Sequence, residues 1–177
     1  MIASADLVAL LVESARGFNA YRAAHPGEPV ELAGAELSGR DLAGADLRGA
    51  NLFEANLSWT NLEGANFEGA DLRRAWLEGC TLAGARFDAA RMDHANLRSA
   101  KLRGATFRGV SLRWGTFQHA DLRDATFDGA NLRRVVFCDA DLTGAAFRNA
   151  NLAEADLRWA TYQLDAIESD LAGACIR

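Results

Sequence analysis

The residues of this chain that could do chemistry are three histidines, three cysteines, a recurring carboxylate and 19 basic side chains, of which only Lys101 is a lysine. His25, His94 and His119 stand well apart in sequence, which reads as solvated histidine rather than a ligand set or a general base. Cys80, Cys138 and Cys175 are odd in number and show no CxxC or Cys/His spacing. Neither a disulfide framework nor a zinc site is therefore expected, and a reduced, cytoplasmic compartment is. Carboxylates recur one residue before many leucines. Paired acids would suit acid–base work, but lateral polar ladders and solubility are their simpler role. There is no Gly-rich phosphate loop, nucleophile elbow or zinc-binding helix pattern, so no enzyme is expected and no catalytic residue, metal or cofactor is assigned.

Charge is more informative, because it is unevenly placed. Residues 1–72 hold 4 basic and 11 acidic groups, residues 73–134 hold 12 and 6, and residues 135–177 hold 3 and 7, giving net charges of -7, +6 and -4 within a total of -5. Bulk charge does not favour non-specific binding to nucleic acid or acidic membrane, so any anion contact belongs to the middle section. The candidate partner-binding residues there are Arg73, Arg74, Arg91, His94, Arg113, Trp114, Arg133 and Arg134. Arginine beside an aromatic ring suits planar anion contacts or a protein hot spot. Interleaved surface charge that only keeps the chain soluble is the plainer alternative.

What must position these groups is a repeat. The chain has 177 residues, 50% hydrophobic and with only 2 Pro, enough for one domain with a core. An apolar residue recurs every five positions from 32 to 167, with Ala two places before it in 20 of 28 cases. Five residues rotate a helix by roughly 140° and leave a strand's side chain on the opposite face, so neither regular element fits. Ala and Leu two apart do face the same way in extended chain, and each unit can bury that pair if the next two residues turn a corner. Gly stands at many of these corners, as at Gly44, Gly49 and Gly64. The period therefore predicts a solenoid of short sides and corners.

The phenylalanines set the number of sides. With four units per coil, Phe67, Phe87, Phe107, Phe127 and Phe147 fall in one column and Phe117 and Phe137 in the opposite one. With three units they scatter. Phe53, which follows a central Leu, is expected to be exposed. In the four-sided register the candidate arginines, His94 and Trp114 gather on or beside one wall, with Asp93 as the acid intervening in the column of Arg73, Arg113 and Arg133.

Units such as Ala45-Asp46-Leu47-Arg48-Gly49 and Ala50-Asn51-Leu52 resemble the signature of the pentapeptide repeat family over residues 30–167. Arg40 and Asp165 depart from it at inward Ala positions of the outermost coils. Thr60, Cys80, Val110, Gly115 and Val135 are volume changes within it. The resemblance implies an all-β solenoid, a right-handed quadrilateral β-helix of about seven coils. It also implies, for some members, a DNA-like rod that binds DNA gyrase or topoisomerase IV and confers quinolone or toxin resistance, and for some a dimer paired through C-terminal ends.

The expected organisation is a helical cap and linker at 1–29, the β-helix at 30–164, and a cap or re-registered coil at 165–177. Leu7, Leu11, Ala15 and Phe18 lie at helical spacing, with Ser4 as N-cap and a break at Gly17. The apolar stretch 2–12 lacks a basic flank and runs into Glu13, so it is read as neither signal peptide nor membrane span. At the other end, helical spacing of Leu164, Ile167, Leu171 and Ala174 competes with a further repeat reached by deleting one residue. An open last coil would leave Tyr162, Leu164, Ile167 and Leu171 seeking a like surface and produce an end-to-end dimer.

Three functions follow, each from a different class. The first is a non-catalytic scaffold for protein–protein interaction. The second, carried by the resemblance, is topoisomerase binding by DNA mimicry, which the +6 section opposes. The third is anion or nucleic-acid binding on the arginine wall, weakened by the acidic flanks.

Overall fold

Each five-residue unit closes one β-turn. In the unit centred on Leu47 the Ala50 N–H donates to the Leu47 carbonyl at 3.1 Å, and the residue two after the centre takes a positive φ, as in a type II turn. In the computed structural model, which describes residues 4–162 and 172–176, this corner φ recurs from Gly34 to Trp159 with values of 56 to 74°. Backbone groups left free by the turns pair along the solenoid axis. The Leu47 N–H donates to Asn66 O at 2.8 Å and the Asn66 N–H to Ala45 O at 2.9 Å. The parallel bridges from Glu31↔Asn51 to Asp141↔Thr161 all join residues 20 apart, so four units make one coil of a β-helical solenoid.

The four walls follow in chain order. The first is centred on Leu32, Leu52, Leu72, Met92, Leu112, Leu132 and Leu152, and the second, third and fourth lie five, ten and fifteen residues later. Centres and Ala positions point inward and form one continuous core. Phe67, Phe87, Phe107, Phe127 and Phe147 stack on the fourth wall at 4.8 to 4.9 Å between ring centroids, and Phe117 meets Phe107 and Phe127 edge-on from the second. Thr60 is buried in an Ala position because its hydroxyl donates to Leu37 O at 2.8 Å. Gly115 has a different reason: a Cβ there would lie 2.0 Å from Leu112 Cδ2. Arg40 keeps the backbone register, with Asn61 N donating to its carbonyl at 2.9 Å, but its side chain is exposed on the first coil.

The N-terminal segment is two helices, α1 (Ser4–Glu13) and α2 (Ala15–Ala24). Their break falls at Ser14 and not at Gly17. Ser14 is extended and its Oγ accepts from Gly17 N at 3.1 Å, so it caps α2 and Gly17 lies in the first turn. Leu7, Leu11 and Phe18 join the core. Asn19 stands where a preceding coil would present backbone: its amide donates to Gly44 O at 2.8 Å and its oxygen accepts from Asp46 N at 2.7 Å. With Arg22 donating to Asp46 O at 2.6 Å, α2 satisfies the edge groups of the first coil around Gly44 and Asp46.

At the other end the spacing drops from 20 to 19. Cys175 bridges Asp156, its N–H donates to Ala155 O at 2.8 Å, and Leu157 N donates to Cys175 O at 2.7 Å. Residues 172–176 thus occupy a coil position with one residue fewer in between.

Candidate binding wall

The eight residues chosen from sequence all lie on the first wall or its corner with the second. Arg91 precedes a centre, Arg73, Arg113 and Arg133 follow one, and Arg74, His94, Trp114 and Arg134 occupy the corner. That corner is unusual in composition. After Gly34 it carries six non-glycine residues in consecutive coils, Glu54, Arg74, His94, Trp114, Arg134 and Glu154, all at positive φ. A left-handed backbone costs a side-chain-bearing residue roughly 1 kcal/mol or more, and Gly would avoid it.

The six side chains form a ladder. Arg74 meets Glu54 at 3.2 Å, the His94 and Trp114 rings stack at 5.2 Å, Arg134 lies 5.8 Å over Trp114, and Arg134 meets Glu154 at 2.7 Å. Arg113 covers Trp114 from its own unit at 5.5 Å. A shallow depression of about 530 Å³ opens on the upper part of this corner, lined by Glu54, Arg74, Ala75, Trp76, His94 and Asn96.

The wall is less cationic than its arginines suggest. Sequence reasoning names Asp93 alone as the intervening acid, but Asp71, Glu54 and Glu154 intervene as well. Arg73 and Arg91 share Asp71, Arg113 is held by Asp93 through a 2.6 Å contact, and Arg133 and Arg134 share Glu154. Six arginines therefore face four carboxylates. Hydrogen bonds from Arg73 hold the Asp71 carboxyl below its usual range; at Asp93 burial opposes the Arg113 and Ser111 hydrogen bonds, which prevail.

A signal for this was present in the sequence and went unread. In every Asp-Leu-Arg unit the arginine folds back on its own aspartate, as at Asp46/Arg48, Asp71/Arg73, Asp121/Arg123 and Asp156/Arg158. Each fork is bidentate, 2.6 to 2.9 Å per contact. At Ser111-Leu112-Arg113 no acid precedes, and Arg113 reaches Asp93 one coil away. The forks predict acid sensitivity. Hydrogen bonds from Arg158 bring Asp156 down to about 2. A depressed folded pKa gives stability that is present above the unfolded value near 3.9 and lost as pH falls toward 2. Denaturant midpoints should fall across that window, and Asp156→Asn should lower stability at neutral pH while flattening the fall.

Other expectations meet corrections. Phe53 is half-buried, not exposed, because the Arg73 guanidinium lies 5.5 Å over its ring. Cys138 points outward yet is 7% exposed, and burial beside Asp156 pushes its thiol up; burial pushes Cys80 up to about 12. Neither thiol is activated. His119 lies 3.7 Å from Asp139 on another corner. Leu164, Ile167 and Leu171 fall outside the described residues, while Tyr162 is half-buried and its hydroxyl donates to Ile176 O at 3.4 Å. Among the described residues no group of three or more His, Cys, Asp or Glu could hold a metal ion, and no helix is long and apolar enough to cross a membrane.

Three exposed aromatic residues were missed. Trp59, Trp76 and Trp159 are 66, 56 and 68% exposed. With Trp114 they border a single wall, the second.

A family profile for pentapeptide repeats matches residues 31–69, 70–109, 105–144 and 130–161, and the chain belongs to that family. Solved structures similar to it include a pentapeptide repeat protein from the thylakoid lumen of Arabidopsis thaliana, 33% identical, covering 55% of this chain and 71% of that one, TM-score 0.44. HetL of Nostoc sp. strain PCC 7120, involved in heterocyst differentiation regulation, is 26% identical over 91% and 92% of the chains, TM-score 0.37. QnrB1, a plasmid-mediated fluoroquinolone resistance protein, is 22% identical over 83% and 89%, TM-score 0.43. No curated protein gave a significant match.

Proposed function

We propose that the protein is a non-catalytic scaffold for protein–protein interaction, a right-handed four-sided β-helix of about seven coils capped by its N-terminal helices and working in the cytoplasm. Its partner sits on the first wall, on Arg113, Trp114 and the arginines around them. The observation that carries this reading is the corner ladder, where Trp114 is held between His94 and Arg134 at positive-φ positions that glycine would fill at lower cost. Strained, rigid, partly exposed aromatic and arginine side chains are what a hot spot uses. Duplex DNA is a poorer partner, because the acids interleaved along the wall would face the continuing phosphate backbone. A DNA-like rod needs a continuous acidic surface, and the arginines of this wall interrupt one.

Affinity capture from native extract tests it, with the intact chain and with Arg113→Asp and Trp114→Ala variants. Each substitution should weaken capture of the same partner by about 2 kcal/mol or more while leaving the protein folded. Capture unchanged by both, with stability shifted by no more than about 0.5 kcal/mol per site, would reduce the wall to solvation. Duplex DNA bound tightly at physiological salt and released by Arg113→Asp would replace the protein partner with nucleic acid.

A further inference from the structure

The four walls differ sharply in what they show to solvent. Across the five coils centred on the second wall at Leu57, Leu77, Leu97, Phe117 and Phe137, the ten flanking outward positions hold two charges, Glu78 and Arg98. The corresponding ten positions hold six charges on the first wall, six on the third and six on the fourth. All four tryptophans border the wall that lacks charge: Trp76 and Trp114 along one edge, Trp59 and Trp159 along the other.

Backbone strain is concentrated at the same edges. Of the 14 non-glycine residues at positive φ among the described residues, six lie on the corner before this wall and five on the corner after it, leaving three for the other two corners. Trp59 shows how such a residue sits, its ring lying against Gly79 so closely that a Cβ there would come within 2.3 Å. A flat, nearly uncharged face rimmed by exposed tryptophan is costly in water, and solubility does not explain it.

We propose that the second wall is an interface between two copies of this chain, packed side by side and antiparallel. A two-fold axis crossing the wall between the coils of Leu97 and Phe117 brings Trp59 opposite Trp159 of the second copy and Trp76 opposite its Val136. Over the six coils that this pairing uses, the charges meet neutral groups: Glu78 opposite Cys138, Arg98 opposite Gln118 and, in the coil of Leu157, Asp156 opposite Asn56 and Arg158 opposite Ser58. No like charges oppose one another on the wall; at the flanking corner Glu54 falls opposite Glu154 and Arg74 opposite Arg134, each like charge there being paired within its own copy by the Glu54–Arg74 and Arg134–Glu154 salt bridges. That self-complementarity is the requirement of an isologous interface, and it favours a second copy over a charged partner, for which the wall offers no field. The wall projects only roughly 300 Å² per copy before its rims are counted, so the dimer belongs to the weak, concentration-dependent class. It leaves the first wall's outward positions, Arg73, Arg113 and Arg133 among them, open, while the corner residues Trp114 and Arg134 flank the dimer.

Sedimentation equilibrium of the full chain across the micromolar range tests the proposal. The expected result is a reversible monomer–dimer equilibrium whose dissociation constant rises at least about tenfold in Trp59→Gly and again in Trp76→Thr. Both substitutions suit the fold: Gly is what a positive-φ corner favours, and Thr occupies the position of Trp76 in the units of Thr81 and Thr116. Thermal melts of the variants under dilute, monomeric conditions should show Trp59→Gly no less stable than the parent, which separates lost pairing from lost folding. A chain that stays monomeric throughout overturns the proposal. So does a dimer that both variants form with unchanged affinity, since pairing would then use another surface, such as the C-terminal end.

Discussion

Phe107→Ala is expected to destabilise the protein by about 3–5 kcal/mol, the usual range for truncating a buried aromatic residue. Phe107 is fully buried, stacked between Phe87 and Phe127 at 4.8 Å on each side, and touched edge-on by Phe117 at 5.6 Å. Collapse cannot fill the gap. The coils above and below are fixed at the ladder spacing by bonds such as Phe107 N to Thr126 O at 2.7 Å, so neighbouring rings cannot close on the missing one. Phe53→Ala, on the outer side of the first wall, should cost much less, limited to its half-buried ring and the Arg73 contact. Equal midpoint shifts for the two in urea would place the inward column elsewhere.

Gly115→Ala should cost about 1–3 kcal/mol, a sign opposite to the usual one. Gly115 is not at positive φ, and replacing such a glycine by alanine ordinarily stabilises by roughly 0.4–1 kcal/mol through the unfolded state. Alanine is also the residue of its column in most coils, as at Ala75, Ala95 and Ala155. The steric term wins because the new Cβ would lie 2.0 Å from Leu112 Cδ2 and 3.2 Å from Ala95 O. Leu112 is fully buried between Met92 and Leu132 of the adjoining coils, so its side chain has no empty volume to turn into. Gly115→Ala combined with Leu112→Val should recover part of the loss. Calorimetry showing the single variant more stable than the parent would mean that Leu112 repacks freely.

The sequence by itself determined the period, the burial of each centre, the corners and the number of walls. It could do so because a stacked repeat turns tertiary contact into arithmetic: the residue above any position is 20 places away, and the phenylalanine columns give that number away. The same arithmetic placed Arg73, Arg113, Arg133 and Trp114 on one wall. It would have shown the second wall's lack of charge had all four walls been counted. Tertiary structure alone decided what depends on rotamers or on the chain outside the repeat. Whether an arginine meets an acid two residues before it or one coil away is a choice of side-chain torsion, so Asp71, Glu54 and Glu154 were missed as partners while Asp93 was found. Gly115 reads as a small residue in a small column until Leu112 is seen to occupy its Cβ space. The helix break at Ser14 and the pairing of Asn19 with Gly44 and Asp46 have no period to betray them. They arise where a non-repeating segment meets the open edge of the first coil, and that edge's unpaired backbone groups exist only once the solenoid has formed.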